Sequence, residues 1–231
     1  MTEKLLVVAP RFDTATEYSF DWAGDFLKII EDNPNVEYST LLEKMATKSN
    51  FDQFMPSHDI LIFFDHGIKD ALIGQGLEKL VTNVTAGKFA GKKVFTMACL
   101  SALELGKYAY HSGCLEYWGA IESIGFTLVD ADLFGEVFVQ GAYERFVLGL
   151  PIEEVMENMQ NHFVEQMDKT TNPWTKVWLQ KDKDMWVCWH EGNKPETPKA
   201  ISLIQKIINA ILNFLGINFA TEKDCKFDVL S

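Results

Sequence analysis

The chain has 231 residues, of which 47% are hydrophobic, which is enough apolar material for a sizeable core. Its 33 acidic and 21 basic residues give a net charge of −12, which argues against nucleic acid and anionic membranes as partners and favours basic ligands. The N-terminus does not resemble a signal peptide, so we expect a cytoplasmic protein. The four cysteines, Cys99, Cys114, Cys188 and Cys225, have no metal-binding spacing. We therefore expect free thiols, no metal ion and no cofactor.

Predicted strands and helices alternate along the chain. Apolar runs bounded by turn residues predict the strands Lys4–Ala9, Val36–Leu41, Ile60–Phe64, Lys93–Met97, Leu115–Ala120 and Met185–His190. Helical spacing predicts helices at Trp22–Ile30, Leu77–Val84, Ser101–Tyr110 (with Ser101 in a capping arrangement), Asp132–Leu148 and Ile152–Met167. This alternation predicts an α/β fold with a mostly parallel sheet covered by helices on both faces.

The last part of the chain departs from this alternation. Asn193–Pro198 has the composition of a linker, and Lys199–Phe219 is predicted to be a helix with a wide face of Ile, Leu and Phe. We therefore divide the chain into a domain at 1–192 and a linker with an amphipathic helix at 193–231. The apolar face predicts packing on the domain, binding to a protein partner or a second copy, or contact with a membrane surface. Lys206 and the asparagines of this helix argue against integral membrane insertion.

Two neighbouring strands of the predicted sheet end in residues that carry chemistry. One is followed by Asp65-His66-Gly67 and the next by Ala98-Cys99. Because the carboxyl ends of parallel strands lie at one edge of a sheet, we expect an imidazole and a thiol at the same rim. A histidine beside a thiol can activate it as a nucleophile. Taken alone, Cys99 also fits a small buried hydrophobic residue, and His66 fits a loop or cap residue.

A hydrophobic strand ending in His66-Gly67, a helix-containing connection and a hydrophobic strand ending in Ala98-Cys99 resemble the caspase-like cysteine peptidases of clan CD. This group includes gingipains, clostripain-like peptidases and CHAT domains. The following segment Tyr117–Gly125 is similar to CHAT and gingipain-type domains, whereas the Gln-Ala-Cys-Arg-Gly sequence of animal caspases is absent. The resemblance implies a caspase-like three-layer sandwich with a mostly parallel central sheet.

The resemblance also implies the activity of an intracellular thiol protease, a hydrolase that cleaves protein or peptide substrates. Cys99 would be the nucleophile and His66 the general base and acid. The backbone N–H groups of Gly67 and Cys99 would stabilise the oxyanion. No third catalytic residue is assigned, because Asp65 adjoins His66 and successive strand residues point to opposite faces.

Substrate preference rests on two acidic residues. Asp130 and Asp132 are placed like the pocket acids of clostripain-like peptidases, which implies cleavage after Arg or Lys. Those peptidases commonly also carry an Asp two residues before the nucleophile, where this chain has Met97. The alternative is that Asp130 and Asp132 only stabilise the start of the following helix.

Two other functions stay open at this point. One is a non-catalytic caspase-like interaction module that binds a protein partner through its C-terminal helix. The other is a different cysteine acyl hydrolase, such as a glutamine amidotransferase, although Cys99 lacks a Gly-x-Cys-x-Gly setting and His66 precedes it. A nucleotide-binding Rossmann domain is disfavoured, because the turn at 10–13 has no glycine that would let the backbone approach a pyrophosphate.

Overall fold

The computed structural model describes residues 3–198 and 228–230, so the predicted helix Lys199–Phe219 and Cys225 lie outside the described residues. The strands are β1 (Lys4–Ala9), β2 (Glu37–Leu42), β3 (Ile60–Phe64), β4 (Gly67–Ile68), β5 (Ala71–Ile73), β6 (Lys79–Thr82), β7 (Lys93–Met97), β8 (Glu116–Ala120), β9 (Gly125–Thr127), β10 (Trp186–His190) and β11 (Asp228–Leu230). The helices are α1 (Thr14–Ile30), α2 (Lys48–Phe54), α3 (Leu105–His111), α4 (Ala131–Phe146), α5 (Ile152–Lys169) and α6 (Pro173–Met185).

The central sheet has six strands in the order β10-β8-β7-β3-β1-β2. All neighbours are parallel except β10, which pairs antiparallel with β8. Strands β1, β3 and β7 are continuous apolar runs because both of their faces are buried. The predicted α/β fold with a mostly parallel sheet is confirmed. Two small sheets, β4-β5-β6 and β9 with β11, lie outside it.

Helices cover both faces of the sheet, so the domain has three layers. Alternating side chains of the central strands divide into two cores. The first core lies against α1, α4, α5 and α6, and its members include Val7, Ile62, Phe95, Trp22, Phe138, Phe163 and Leu179. The second core lies against α2 and α3, and its members include Val8, Phe63, Ala98, Phe51 and Leu105.

Two helix predictions need correction. The helix predicted at Leu77–Val84 is wrong, because Lys79–Thr82 forms β6, which pairs antiparallel with β5, and Asn83–Phe89 is a 3₁₀ segment. Cross-strand hydrogen bonds and the β-branched residues of β6 outweigh the local helical spacing there. Ser101 also does not start a helix: its hydroxyl is 2.7 Å from the Thr96 hydroxyl, and α3 begins later.

Helix α1 begins at Thr14 rather than at the predicted Trp22, because Asp13 caps it. The Thr16 N–H donates to Asp13 Oδ1 at 2.8 Å, and the Asp13 N–H donates to Thr16 Oγ1 at 2.8 Å. This reciprocal pair is a capping box, which satisfies donors that the first turn leaves open. No helix within residues 3–198 and 228–230 combines the length and the apolar character needed to cross a bilayer.

Candidate active site

The ends of β3 and β7 bring His66 and Cys99 to one edge of the sheet. Phe64 of β3 pairs with Met97 of β7, and His66 and Cys99 each lie two residues further along the chain. Phe64, Met97 and Cys99 all belong to the core beneath α1. Adjacent strands are about 4.8 Å apart, so this register brings His66 and Cys99 to the same level of the sheet edge.

A third polar side chain reaches His66 from the start of α1. The His66 Nε2–H donates to Asp13 Oδ2 at 2.7 Å, and the Phe12 ring lies 5.7 Å from the imidazole, centroid to centroid. Since Asp13 Oδ1 is used by the helix cap, the carboxylate performs two tasks at once. The cap holds the carboxylate in place, and the carboxylate holds the imidazole.

The protonation of Asp13 determines the tautomer of His66. Burial raises the pKa of Asp13, but the hydrogen bond and charge of His66, with the hydrogen bonds from Thr16, bring it below its ordinary value of 3.8. An ionised carboxylate can only accept, so Nε2 carries the hydrogen and Nδ1 is the basic nitrogen of the neutral ring.

Sequence reasoning missed Asp13, although a signal was present. The motif Asp13-Thr-Ala-Thr16 follows β1, and β1 is the parallel neighbour of β3. An acidic N-cap after a central parallel strand belongs to the same rim as the ends of the neighbouring strands. The carboxylate oxygen that the cap leaves unused can then bond a side chain at the end of a neighbouring strand, as Asp13 Oδ2 bonds His66.

Gly67 lies against the backbone of the cysteine strand. A Cβ on Gly67 would lie 2.6 Å from the Cys99 carbonyl oxygen and 3.0 Å from the Ala98 Cβ. Only glycine allows this approach without a shift of one of the two strands. The role of the Gly67 N–H in binding an oxyanion stays a prediction.

The Cys99 thiol is covered from above by the chain that follows β8. Cys99 and His66 are each 1% exposed. The Ile124 N–H donates to Cys99 Sγ at 3.3 Å, and the thiol contacts the Ile124 carbonyl oxygen at 3.8 Å. The next residue, Leu100, has a φ of 58°, a left-handed conformation that costs on the order of 1–3 kcal/mol in a residue other than glycine. Such strain is concentrated at functional sites.

Asp65 is buried beside the site and is not an orienting residue for His66. It is 0% exposed, and neither carboxyl oxygen has a hydrogen bond of normal geometry. Burial raises the pKa of Asp65 well above its usual range despite the nearby His66 N–H, and the charge of Asp13 raises it further. Burial therefore favours the protonated form of this carboxyl group.

The two acidic residues predicted for substrate binding differ in their surroundings. Asp130 Oδ2 accepts hydrogen bonds from the hydroxyls of Thr170 at 2.9 Å and Thr175 at 2.6 Å, which ties the start of α4 to the start of α6. Asp132 is exposed in the first turn of α4. Their role in substrate binding stays a prediction.

The other described cysteines lie away from this edge. Cys114 and Cys188 are buried free thiols, and burial raises the pKa of both. A thiol that stays protonated is a poor nucleophile, so neither is a candidate nucleophile. In the described part of the chain, no group of three or more His, Cys, Asp or Glu residues is arranged to hold a metal ion.

A solved structure with a similar fold is the complex of the Porphyromonas gingivalis RgpB pro- and mature domains. The TM-score is 0.53 at 12% sequence identity, and the match covers 82% of this chain and 47% of that chain. This chain thus spans about half the length of the solved chain. RgpB is a gingipain, and the likeness supports a caspase-like clan CD fold, which is all that this level of identity shows. No protein-family profile matches the chain, and no curated protein matches it.

Proposed function

We propose that this protein is a cysteine peptidase in which Cys99 is the nucleophile, His66 the general base and acid, and Asp13 the residue that orients His66. The observation that carries the proposal is the shared register of His66 and Cys99 beyond a paired Phe64 and Met97, with a carboxylate on the far ring nitrogen. Covalent catalysis requires a nucleophile, a base that can reach it and a group that orients the base.

In the proposed reaction, Nδ1 of His66 takes the thiol proton as Cys99 Sγ attacks the peptide carbonyl carbon. The backbone N–H groups of Gly67 and Cys99 would stabilise the oxyanion. His66 then gives the proton to the leaving amine, and a thioester forms on Cys99. Water, deprotonated by His66, hydrolyses the thioester and releases the carboxylic acid and the thiol.

Asp13 supports this assignment because its carboxylate is hydrogen-bonded to the proposed base. An ionised carboxylate on Nε2 holds the ring in the tautomer that leaves Nδ1 basic, and it stabilises the imidazolium that forms during attack. An imidazolium beside a thiol in turn stabilises the thiolate. Asp13 is 41% exposed, so solvent weakens its effect without removing it.

The proposed substrates are peptides with Arg or Lys before the scissile bond. The net charge of −12 and the acids Asp130 and Asp132, which follow the strand after the cysteine, support this preference. Fluorogenic peptides that differ only in this residue test it. Basic substrates should give a higher kcat/KM than acidic ones, and equal values would contradict the preference.

The decisive variant for the activity is Cys99→Ala. It should lose all measurable peptide hydrolysis and all labelling by an electrophilic peptide probe. The variant should stay folded, because removal of one sulfur atom leaves only a small cavity. Cys188→Ala is the matched control, since it removes a buried thiol that lies away from the site. Hydrolysis by Cys99→Ala at the parental rate would exclude the proposal.

A second candidate function is a non-catalytic protein with the same fold. The observation that favours it is the 1% exposure of both Cys99 and His66, because a sealed thiol cannot attack a substrate. In that case the parental protein would hydrolyse no peptide under any condition that leaves it folded. The hydrolysis assay therefore separates the two candidates.

A further inference from the structure

The segment Ile121–Gly125, called the cover segment below, leads from β8 into β9 and contacts the Cys99 thiol. Its Ile124 N–H lies 3.3 Å from Cys99 Sγ. Its Glu122 carbonyl accepts the Leu100 N–H at 2.9 Å, directly after the cysteine. Cys99 is 1% exposed, so a substrate carbonyl can reach Sγ only after part of its surroundings moves, and this segment contacts the sulfur directly.

The far end of the cover segment is held by α6. The Gly125 N–H donates to Asp182 Oδ1 at 3.1 Å, and Asp182 is 0% exposed. A buried aspartate is rare, and its hydrogen bond to a backbone N–H is stronger in a water-free setting than on the surface. Ile121 is also tied to α6, since its N–H donates to the Met185 carbonyl at 3.1 Å.

Close packing reinforces this attachment. Gly125 packs against the Trp178 ring of α6 and leaves no room for a side chain. A Cβ on Gly125 would overlap Cε3 and Cζ3 of the ring and lie 2.7 Å from Cδ2. Leu100, whose N–H donates to the Glu122 carbonyl of the segment, has a φ of 58°, a conformation that persists only where the surroundings hold it. The cover segment is thus attached to α6 at both ends, and Glu122 within it is hydrogen-bonded to the strained Leu100.

We propose that Asp182 is a positioning residue that holds the cover segment closed over Cys99, and that this closed arrangement is a latent state of the site. The inference rests on the proposed function for its biological meaning. Loss of the Asp182–Gly125 hydrogen bond leaves a buried N–H without its acceptor and favours the open segment. Opening exposes the thiol, so the accessibility of Cys99 reports the state of the segment.

The test is the rate at which iodoacetamide alkylates Cys99 in the full chain, measured by mass spectrometry of the Cys99 peptide. Asp182→Ala should raise this rate about tenfold, and Asp182→Asn should raise it less, because the amide oxygen still accepts. Asp184→Ala, an exposed aspartate on the same helix, is the control and should leave the rate unchanged. The buried Cys114 and Cys188 report global unfolding in the same sample and should stay unlabelled.

A second variant acts on the other side of the same contact. Gly125→Ala pushes the segment off the Trp178 ring and should also raise the Cys99 alkylation rate, whereas Gly24→Ala has open space and should not. If Asp182→Ala does not fold, the Cys99 alkylation rate of Gly125→Ala alone tests the inference. Parental Cys99 rates in these folded variants would overturn the inference.

The hydrolysis assay keeps this inference distinct from the proposed function. Faster Cys99 alkylation in the variants, with no peptide hydrolysis by any of them, would support the cover and refute the peptidase. Peptide hydrolysis by the parental protein, with unchanged alkylation in the variants, would support the peptidase and refute the cover.

Discussion

The two ends of the central sheet both bury charged or ionisable groups, but they treat them differently. At the amino end, Glu116 begins β8 and is 2% exposed. Its Oε1 accepts from Arg145 at 2.9 Å, and its Oε2 accepts from Arg145 at 2.8 Å and from Trp118 at 3.0 Å. At the carboxyl end, the equally buried Asp65 has no hydrogen bond of normal geometry, and Leu100 is strained.

This difference separates structural from functional burial of polar groups. The bidentate Arg145–Glu116 pair satisfies both oxygens of its carboxylate, which is what a stable interior requires. At the carboxyl end, the buried Asp65 and the strained Leu100 lower the stability of the fold. Residues that lower stability in this way are concentrated at functional sites. The amino end should therefore govern stability, and the carboxyl end should govern activity.

Breaking the amino-end pair should give the largest effect. Arg145→Ala leaves Glu116 buried without its main partner and should lower the free energy of unfolding by about 3–5 kcal/mol. Urea denaturation, monitored by tryptophan fluorescence, measures this change in the free energy of unfolding. Lys28→Ala removes an exposed ion pair with Asp25 and should leave the unfolding free energy unchanged. Equal losses in the two variants would show that burial of the Arg145–Glu116 pair does not set its contribution to stability.

At the carboxyl end, Asp13→Asn should separate catalysis from stability. Asparagine caps a helix as well as aspartate does, so the free energy of unfolding should change little. The carboxylate charge beside His66 is lost, and kcat should fall by about 100-fold because the base loses the group that orients it. Asp13→Ala should lose activity and, in addition, about 1 kcal/mol of stability with the cap. Undiminished turnover by folded Asp13→Asn would show that Asp13 only caps α1.

Asp65→Asn should act in the opposite direction to Arg145→Ala and stabilise the protein. Because the folded-state pKa of Asp65 is raised, the folded protein keeps a proton that the unfolded chain releases above about pH 3.8, so stability falls as pH rises towards the folded-state value. The fall has a slope of up to about 1.4 kcal/mol per pH unit. Asp65→Asn removes this slope, so its advantage should grow between pH 4 and the folded-state pKa. Thermal melts across this range measure it, and a variant less stable than the parent throughout would contradict it.

Much of the sheet could be predicted from local pattern. Lys4–Ala9, Ile60–Phe64 and Lys93–Met97 have the predicted bounds, because a strand buried on both faces is a continuous apolar run between turn residues. The common edge of His66 and Cys99 follows from parallel pairing of two such strands. These features depend on residues within one or two elements.

The sequence by itself therefore determined the central strands, the α/β class and the two residues that end neighbouring strands. Only the tertiary structure decided that β6 is a strand, that α6 exists, that Asp13 contacts His66 and that Asp182 contacts Gly125. Asp13 meets His66 across 53 residues, and Asp182 meets Gly125 across 57. Periodicity records which side of an element is buried, whereas contacts at such separations depend on how the elements pack, and no local pattern contains that information.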